Sequence, residues 1–430
     1  MHLLKKQDSN SSNITLKDKI RMFLLVLFSA NQYFRENAVV MTIVGLVFLF
    51  LLDYNIYSHF FSINNIYAYL IILFFLSFEI IHRYIFHIDN TLTIFKLLGY
   101  FLFSFFVVKA LKNKFIKTYI IVIYYLAIIS LVLYAVLSFF PYFYFLYNIA
   151  EQYFPLKYSI DPTLLIYTFD KSAYVNQALL IRNAGFAWEA GGFATYLTLA
   201  LVFQIGTNKI TIGKIIKDKT SLVLIIAIVS TFSTAGFLAM FVALILPMYS
   251  MQVSIFLKIL ISFVFITIFY IFIINVDFLG AKIEGQFKNA NKSQNRIGSA
   301  YLDWKNIKER PLTGWSRKEN VLFGDKAFTY KTHRPNGLTN YLRCYGFIYV
   351  SFLVIIWFIS FYSYFKYIGT MYPVVATSFI IIIILTMAFS QLIFDDFMFR
   401  SFLFLFCVYN SSFKKRYIIK RPKCRNTIVH

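Results

Sequence analysis

Apolar positions in this chain run in long uninterrupted blocks, and short basic stretches separate them. The blocks fall near 20–34, 38–55, 65–84, 92–111, 117–139, 190–207, 221–250, 255–276, 346–367, 373–393 and 396–413. Most have the ~17–25 residues needed to cross a hydrocarbon core about 30 Å thick. Backbone amides in lipid must find partners within their own segment, so each block is predicted to be helical. Ile116–Phe139 shows the pattern well, with a single Lys at its edge and otherwise almost only Ile, Leu, Val, Tyr and Phe. At about −0.3 to −0.6 kcal/mol per large apolar residue, inserting such a block is favourable. The block at 20–34 is the shortest and least secure span.

The polar stretches set the topology. The N-terminal lysines, the cluster Lys109, Lys112, Lys114 and Lys117, the cluster Lys209, Lys214, Lys217 and Lys219, Lys366, and the basic tail 414–430 all read as cytoplasmic by the positive-inside rule. Counting spans between clusters places loop 140–189 outside. If 221–250 were one helix, loop 277–345 would be cytoplasmic and the basic tail external, against the rule. A turn-back near Ser230-Thr231-Phe232-Ser233-Thr234-Ala235-Gly236 restores parity. Hydroxyls and a glycine suit such a break, because its freed backbone groups need local partners. The expectation is a single all-α polytopic membrane domain over residues 1–430, with about twelve transmembrane helices, both termini cytoplasmic, and two long external loops at 140–189 and 277–345. No internal repeat is visible.

Composition agrees. The 430 residues are 59% hydrophobic and only 14% charged, with a mean hydropathy of +0.67, against about 25% charged in soluble domains. A net charge of +23 raises nucleic-acid binding as a rival. The charges alternate with membrane blocks instead of lining one face, so no nucleic-acid partner is expected. Cys344, Cys407 and Cys424 stand apart, which argues against a zinc site and a disulfide framework. The basic N-terminus followed by Met22–Ala30 has the outline of a secretory signal. Its long polar lead and the poor cleavage site Phe28-Ser29-Ala30 favour a retained first span.

Candidate chemistry lies in the two loops. Arg182-Asn183-Ala184-Gly185-Phe186-Ala187-Trp188-Glu189 opens directly into a membrane block. Arg182 suits a lipid phosphate, since its planar fork donates two hydrogen bonds at once. Glu189 would then orient it or receive a proton. The plainer account is an interfacial Arg182 paired with Glu189. In the second loop, Arg296 begins a short helical pattern that Pro311-Leu312-Thr313-Gly314-Trp315 ends in a turn, and Arg296 is a second candidate phosphate ligand. His333 is the candidate general base, since an imidazole can take a proton from a sugar hydroxyl near neutral pH; a lone loop histidine is also often incidental. Glu79 lies inside a span, where acids are costly, and an Arg83 pairing or a bundle-facing position accounts for it. Asp395-Asp396 lacks an Asp-x-Asp spacing, and Arg400 one turn later is a ready partner. There is no P-loop, HExxH, GxSxG or Gly-rich dinucleotide loop.

In order and spacing these pieces resemble the O-antigen polymerase and O-antigen ligase superfamily of bacterial envelope glycosyltransferases. Four features carry the resemblance: Arg182 with Gly185-Phe186 and Glu189 before a middle span, the broken segment at 230–236, Arg296 followed by Pro311–Trp315, and His333 followed by Asn336-Gly337-Leu338. The resemblance implies transfer of an undecaprenyl-pyrophosphate-linked glycan to an acceptor sugar at the periplasmic face of the inner membrane. It implies no cofactor, no nucleotide sugar and, for the ligases, no metal. Arg182 and Arg296 take the positions expected to hold the pyrophosphate, with His333 assisting the acceptor hydroxyl. Many relatives carry a Ser-Arg pair in the broken segment, whereas Ser233-Thr234-Ala235-Gly236 has no arginine, which puts a third phosphate contact there in question. The expected partners are the lipid-linked glycan, membrane lipids and a chain-length regulator. A polymerase is the first expectation and a ligase to lipid A core the alternative. A lipid-linked oligosaccharide flippase is the rival from another class; it predicts internal symmetry and ionisable midplane groups, and only Glu79 answers to that.

Overall fold

A computed structural model describes residues 13–52, 65–140, 145–156, 161–175, 178–249, 295–324 and 334–409, with scattered positions between 254 and 285. Among the described residues the protein is mostly helical, with five helical stretches long and apolar enough to cross a membrane. The first helices are α1 (Leu16–Ala30), α2 (Gln32–Glu36), α3 (Ala38–Leu52), α4 (Ile66–Phe86), α5 (Thr91–Leu111) and α6 (Phe115–Phe139). A tight turn at Lys112–Lys114 separates α5 from α6. The block expected near 20–34 is α1 and α2 together; Asn31 divides them because its side chain caps α2, accepting from the Tyr33 N–H.

Between the first-half and second-half helices lie α7 (Phe145–Tyr153) and a two-stranded antiparallel ribbon, β1 (Phe169–Val175) with β2 (Ala178–Asn183). An all-α reading therefore needs this one correction among the described residues. The ribbon's register sets Asp170 opposite Arg182 and Phe169 opposite Asn183. Then follow α8 (Ala190–Asn208), α9 (Ile212–Ile215), α10 (Lys219–Ser230) and α11 (Thr234–Tyr249). The last helices are α12 (Arg296–Glu309), α13 (Glu319–Phe323), α14 (Gly337–Tyr367), α15 (Pro373–Ser390) and α16 (Phe397–Phe402). Most of the block expected at 255–276, most of 277–294 and the tail 414–430 lie outside the described residues.

Helix α8 is the axis of the molecule. Every residue from Ala190 to Gly206 is buried, and α6, α10, α11 and α15 pack around it. Gly191, Gly192, Ala194, Thr195, Thr198 and Ala200 keep its profile narrow, the way membrane helices bring backbones together without a hydrophobic drive between them.

The block at 221–250 is broken where its hydroxyls and glycine foretell. Helix α10 starts beside the end of α8, where Gln204 Nε2 donates to Asp218 Oδ2 at 3.0 Å, and runs back along α8 to Ser230. Phe232 turns with φ of 46°. Thr231 Oγ1 donates to Ile228 O at 2.7 Å, and Ser233 Oγ accepts the Gly236 N–H at 3.2 Å, so the freed groups are met locally. Gly236 then lies against Ala194 near the start of α8, and α11 packs on α9 beyond the other end of α8. The chain doubles back.

The bundle thus has two ends. One carries Asp18, Lys114, Asp218 and the exposed lysines; Lys114 Nζ lies 3.0 Å from Asp18 Oδ2, and Asn113 Nδ2 donates to Tyr367 OH at 3.3 Å. The other gathers the ribbon, α12 and most of the arginines.

Pro311–Trp315 has a structural task there. Within α14, Gly346 has φ 72° and ψ 179°, so the helix opens for one residue. The Phe347 N–H donates to Pro311 O at 2.7 Å, while the Arg343 and Cys344 carbonyls accept from Trp315 and Ser316 N–H at 2.9 Å each. A Cβ on Gly346 would sit 2.2 Å from Leu312 O, and one on Gly314 (φ 71°) would sit 2.5 Å from the Cys344 carbonyl. Only glycine, free of a Cβ and tolerant of positive φ, allows the two chains to pair across this opening.

Candidate functional site

Arg182 is buried, and two neighbours set its guanidinium: Nη1 lies 3.5 Å from Asp170 Oδ2, and Nε donates to Thr231 O at 3.1 Å. The ribbon's register supplies the first partner and the broken segment the second. Asp170 is fully buried and also accepts the Ala190 N–H at 3.1 Å, the start of α8. A carboxylate at a helix N-terminus meets the positive end of its dipole. Beside Arg182, Asn183 Nδ2 donates to Ser230 Oγ at 2.9 Å and to Ser130 Oγ at 3.3 Å, while its Oδ1 accepts the Gly185 N–H. The Arg-Asn-Ala-Gly turn is tied to three helices.

Arg296 begins α12, whose cap is Asn295, accepting the Ile297 N–H at 3.0 Å. Its Nη2 lies 3.6 Å from Glu189 Oε1. Burial weakens Arg296's hold on its proton, Glu189 strengthens it and Arg182 weakens it again, so the pKa falls below its usual value. The two arginines are therefore close enough to repel. The structure brings Arg182, Arg296 and Glu189 together, and it corrects their pairing: Glu189 partners Arg296, whereas Arg182 is held by Asp170. The two pairs differ in character. Asp170 is sealed in, but Glu189 and Arg296 keep 37% and 27% of their side-chain surface open, so that pair can be reached by another anion.

His333 lies outside the described residues. The chain resumes beside the site: Asn336 Nδ2 donates to Arg296 O at 3.4 Å, and Arg334 Nε lies 3.4 Å from Asp303 Oδ1. Asp303, two turns after Arg296 on α12, is fully buried between Arg334 and Arg343 (3.5 Å) and accepts from Thr339 Oγ1 at 2.7 Å. Burial outweighs these partners and raises its carboxyl to about 6.

A second cluster went unassigned by sequence reasoning. Asp395 accepts from Arg317 Nη2, from Arg400 Nη2 at 3.0 Å and from Tyr341 OH at 3.1 Å. Arg317 Nε also donates to Tyr345 OH at 2.9 Å, which donates to Glu79 Oε1 at 2.5 Å. Glu79 is bundle-facing, held also by Asn90 Nδ2 at 3.0 Å, while Arg83 bonds Thr91 instead. The Arg400 pairing is as the spacing suggests; Arg317 was signalled only by its place two residues after the Trp315 turn. Among the described residues no group of His, Cys, Asp and Glu is arranged to hold a metal ion.

No known family description, curated protein or solved structure matches this chain.

Proposed function

We propose that this helical membrane protein is a glycosyltransferase that moves a glycan from a polyprenyl-pyrophosphate carrier to an acceptor sugar, acting as a polymerase of surface-polysaccharide repeat units. The observation that carries the reading is the meeting of Arg182 and Arg296, from two loops more than a hundred residues apart, beside a reachable Glu189. An acceptor hydroxyl attacks the anomeric carbon, the carbon–oxygen bond to the pyrophosphate breaks, and the carrier leaves with the electron pair. Negative charge grows on the leaving pyrophosphate as the bond lengthens. Two guanidiniums fixed beside it stabilise the transition state more than the ground state, which is the interaction that raises rate. Incoming phosphate oxygens displace Glu189 from Arg296. The hydroxyl proton passes to His333, whose chain neighbour Arg334 is anchored on Asp303. In this reading about twelve helices span the inner membrane, both termini are cytoplasmic, and the arginine-bearing end faces the periplasm.

The test is a knockout complemented with variants and scored by the surface-polysaccharide ladder. Arg182→Ala and Arg296→Ala should each lower transfer by about 10²–10³-fold, the usual cost of one donor to a developing oxyanion, with protein levels intact. A normal ladder in either variant overturns the reading. Retention of a single repeat unit in the knockout marks a polymerase; loss of all capped core marks a ligase.

A further inference from the structure

The second cluster holds more positive charge than its own carboxylates balance. Arg35, Lys96, Arg317 and Arg400 surround the adjacent Asp395 and Asp396, with Glu79 behind Tyr345, so four cations face three carboxylates. Asp395 is shared by Arg317 and Arg400, while Asp396 meets Arg35 at 3.4 Å and accepts from Tyr196 OH at 3.2 Å. Lys96 faces the same group from α5, with only the Tyr100 ring 5.6 Å from its ammonium and no carboxylate in ion-pair reach among the described residues. Arg400 is 2% exposed and stacks on the Tyr100 and Phe101 rings, yet its Nη1 has no hydrogen-bond partner. A buried donor left unmatched and a surplus of desolvated cations are both costly unless a ligand supplies the missing anion.

The group is also reachable. Arg317 and Asp395 leave 32% and 35% of their side-chain surface open, and Arg35 leaves 22%. It adjoins the first site, because Arg35 covers the ring of Trp188 at 3.8 Å, one residue before Glu189. Gln391, which precedes the two aspartates, has its amide against Gly191 at the start of α8. Two arginine-rich basins thus share one wall.

We propose that the basin formed by Lys96, Arg317, Arg400 and Arg35 is a second pyrophosphate site, which holds the carrier-lipid headgroup of the acceptor glycan while Arg182 and Arg296 hold that of the donor. The inference rests on the reading above. A polymerase joins two glycans that each hang on a carrier lipid, so it must accommodate two pyrophosphates at one end of the bundle. Arg317 and Arg400 supply planar forks suited to a diphosphate, and Lys96 adds a point charge with no carboxylate within ion-pair distance among the described residues.

The test counts ligands. Full-length protein in phosphatidylcholine nanodiscs is titrated with radiolabelled undecaprenyl pyrophosphate, with two molecules bound per chain expected. Lys96→Gln with Arg317→Gln should leave one, Arg182→Ala with Arg296→Ala should leave one, and the four together none. Two equivalents retained by Lys96→Gln/Arg317→Gln, or a single wild-type equivalent lost with Arg182 and Arg296, overturns the proposal. Loss of an equivalent in Lys96→Gln/Arg317→Gln but not in Arg182→Ala/Arg296→Ala would keep the second basin and sink the proposed donor site. If the double variant fails to fold, Lys96→Gln alone, which breaks no ion pair among the described residues, should weaken the second binding step by about tenfold; an unchanged second step overturns the assignment. Inorganic pyrophosphate is the last arm: occupancy of the second basin with the affinity of the lipid probe makes the occupant a free anion and overturns the lipid assignment.

Discussion

The two ends of the bundle carry charge of the same sign mainly in different side chains and at different depths, with Arg21 beside Asp18 a buried arginine at the lysine end. At one end Lys112, Lys117, Lys209, Lys214, Lys217 and Lys219 are all exposed, and the Lys114–Asp18 contact lies at the rim. At the other, Arg182, Arg334, Arg343 and Arg400 are buried, each against a carboxylate. A lysine keeps its compact ammonium hydrated on a flexible stem, which suffices when charge only has to stay out of the bilayer. Arginine is more weakly hydrated and presents a rigid fork, so it can be sunk among carboxylates and rings and still aim its donors. Net charge reports how much positive charge an end holds; the kind of cation and its burial report whether that charge is aimed.

Substitutions at five positions probe this contrast. The largest effect is expected at Asp303, where Asp303→Ala would strand Arg334 and Arg343 in the interior at a cost of about 3–5 kcal/mol, read as thermal unfolding in detergent. The same residue gives a pH signature. Its carboxyl is raised from 3.8 to about 6 in the folded protein, so the folded state holds the proton more tightly than the unfolded state does. Its contribution to stability is complete below about pH 4 and is lost as pH rises through about 6. Asp303→Asn should remove that slope; a variant with the wild-type slope would show that another group titrates.

Next, Arg182→Lys keeps the charge but cannot both donate to Thr231 O and reach Asp170 as the guanidinium does. Transfer should fall by at least about 10²-fold, whereas Lys209→Arg at the other end should leave the ladder unchanged. Equal tolerance of both swaps would erase the distinction between aimed and merely present charge.

Gly346→Ala comes third. It forces a Cβ into a left-handed residue against Leu312 O, costing about 1–3 kcal/mol, so the melting temperature should drop by several degrees; an unshifted melt would mean that the break in α14 is not built on that glycine. Smallest is Lys114→Ala, where loss of a partly exposed ion pair should cost under about 1 kcal/mol. A larger drop in thermal stability would show that the lysine end also carries structural charge.

Much of this was legible from residue order. The break at 230–236 could be read because hydroxyls and a glycine interrupt an apolar block at a place where charge parity needs a turn. Arg182 and Glu189 could be singled out because they close a loop next to a predicted helix, and Arg296 because it begins a short helical pattern within the second loop. Pro311–Trp315 was visible as a turn, but not its task of pairing with an opened helix, since Gly346 looks like any glycine in a span. The basin around Asp395 stayed hidden because Arg35, Lys96, Arg317 and Arg400 come from four distant parts of the chain.

The pattern of apolar blocks by itself determined a helical membrane protein, since lipid offers the backbone no partners and forces each block to satisfy itself. Local chemistry also determined where one block turns back. Which carboxylate holds which arginine, that Asp170 and not Glu189 secures Arg182, and that two basic basins share a wall were decided only in the tertiary structure. Those pairings depend on strand register and helix packing between residues up to several hundred positions apart, and no local periodicity encodes them.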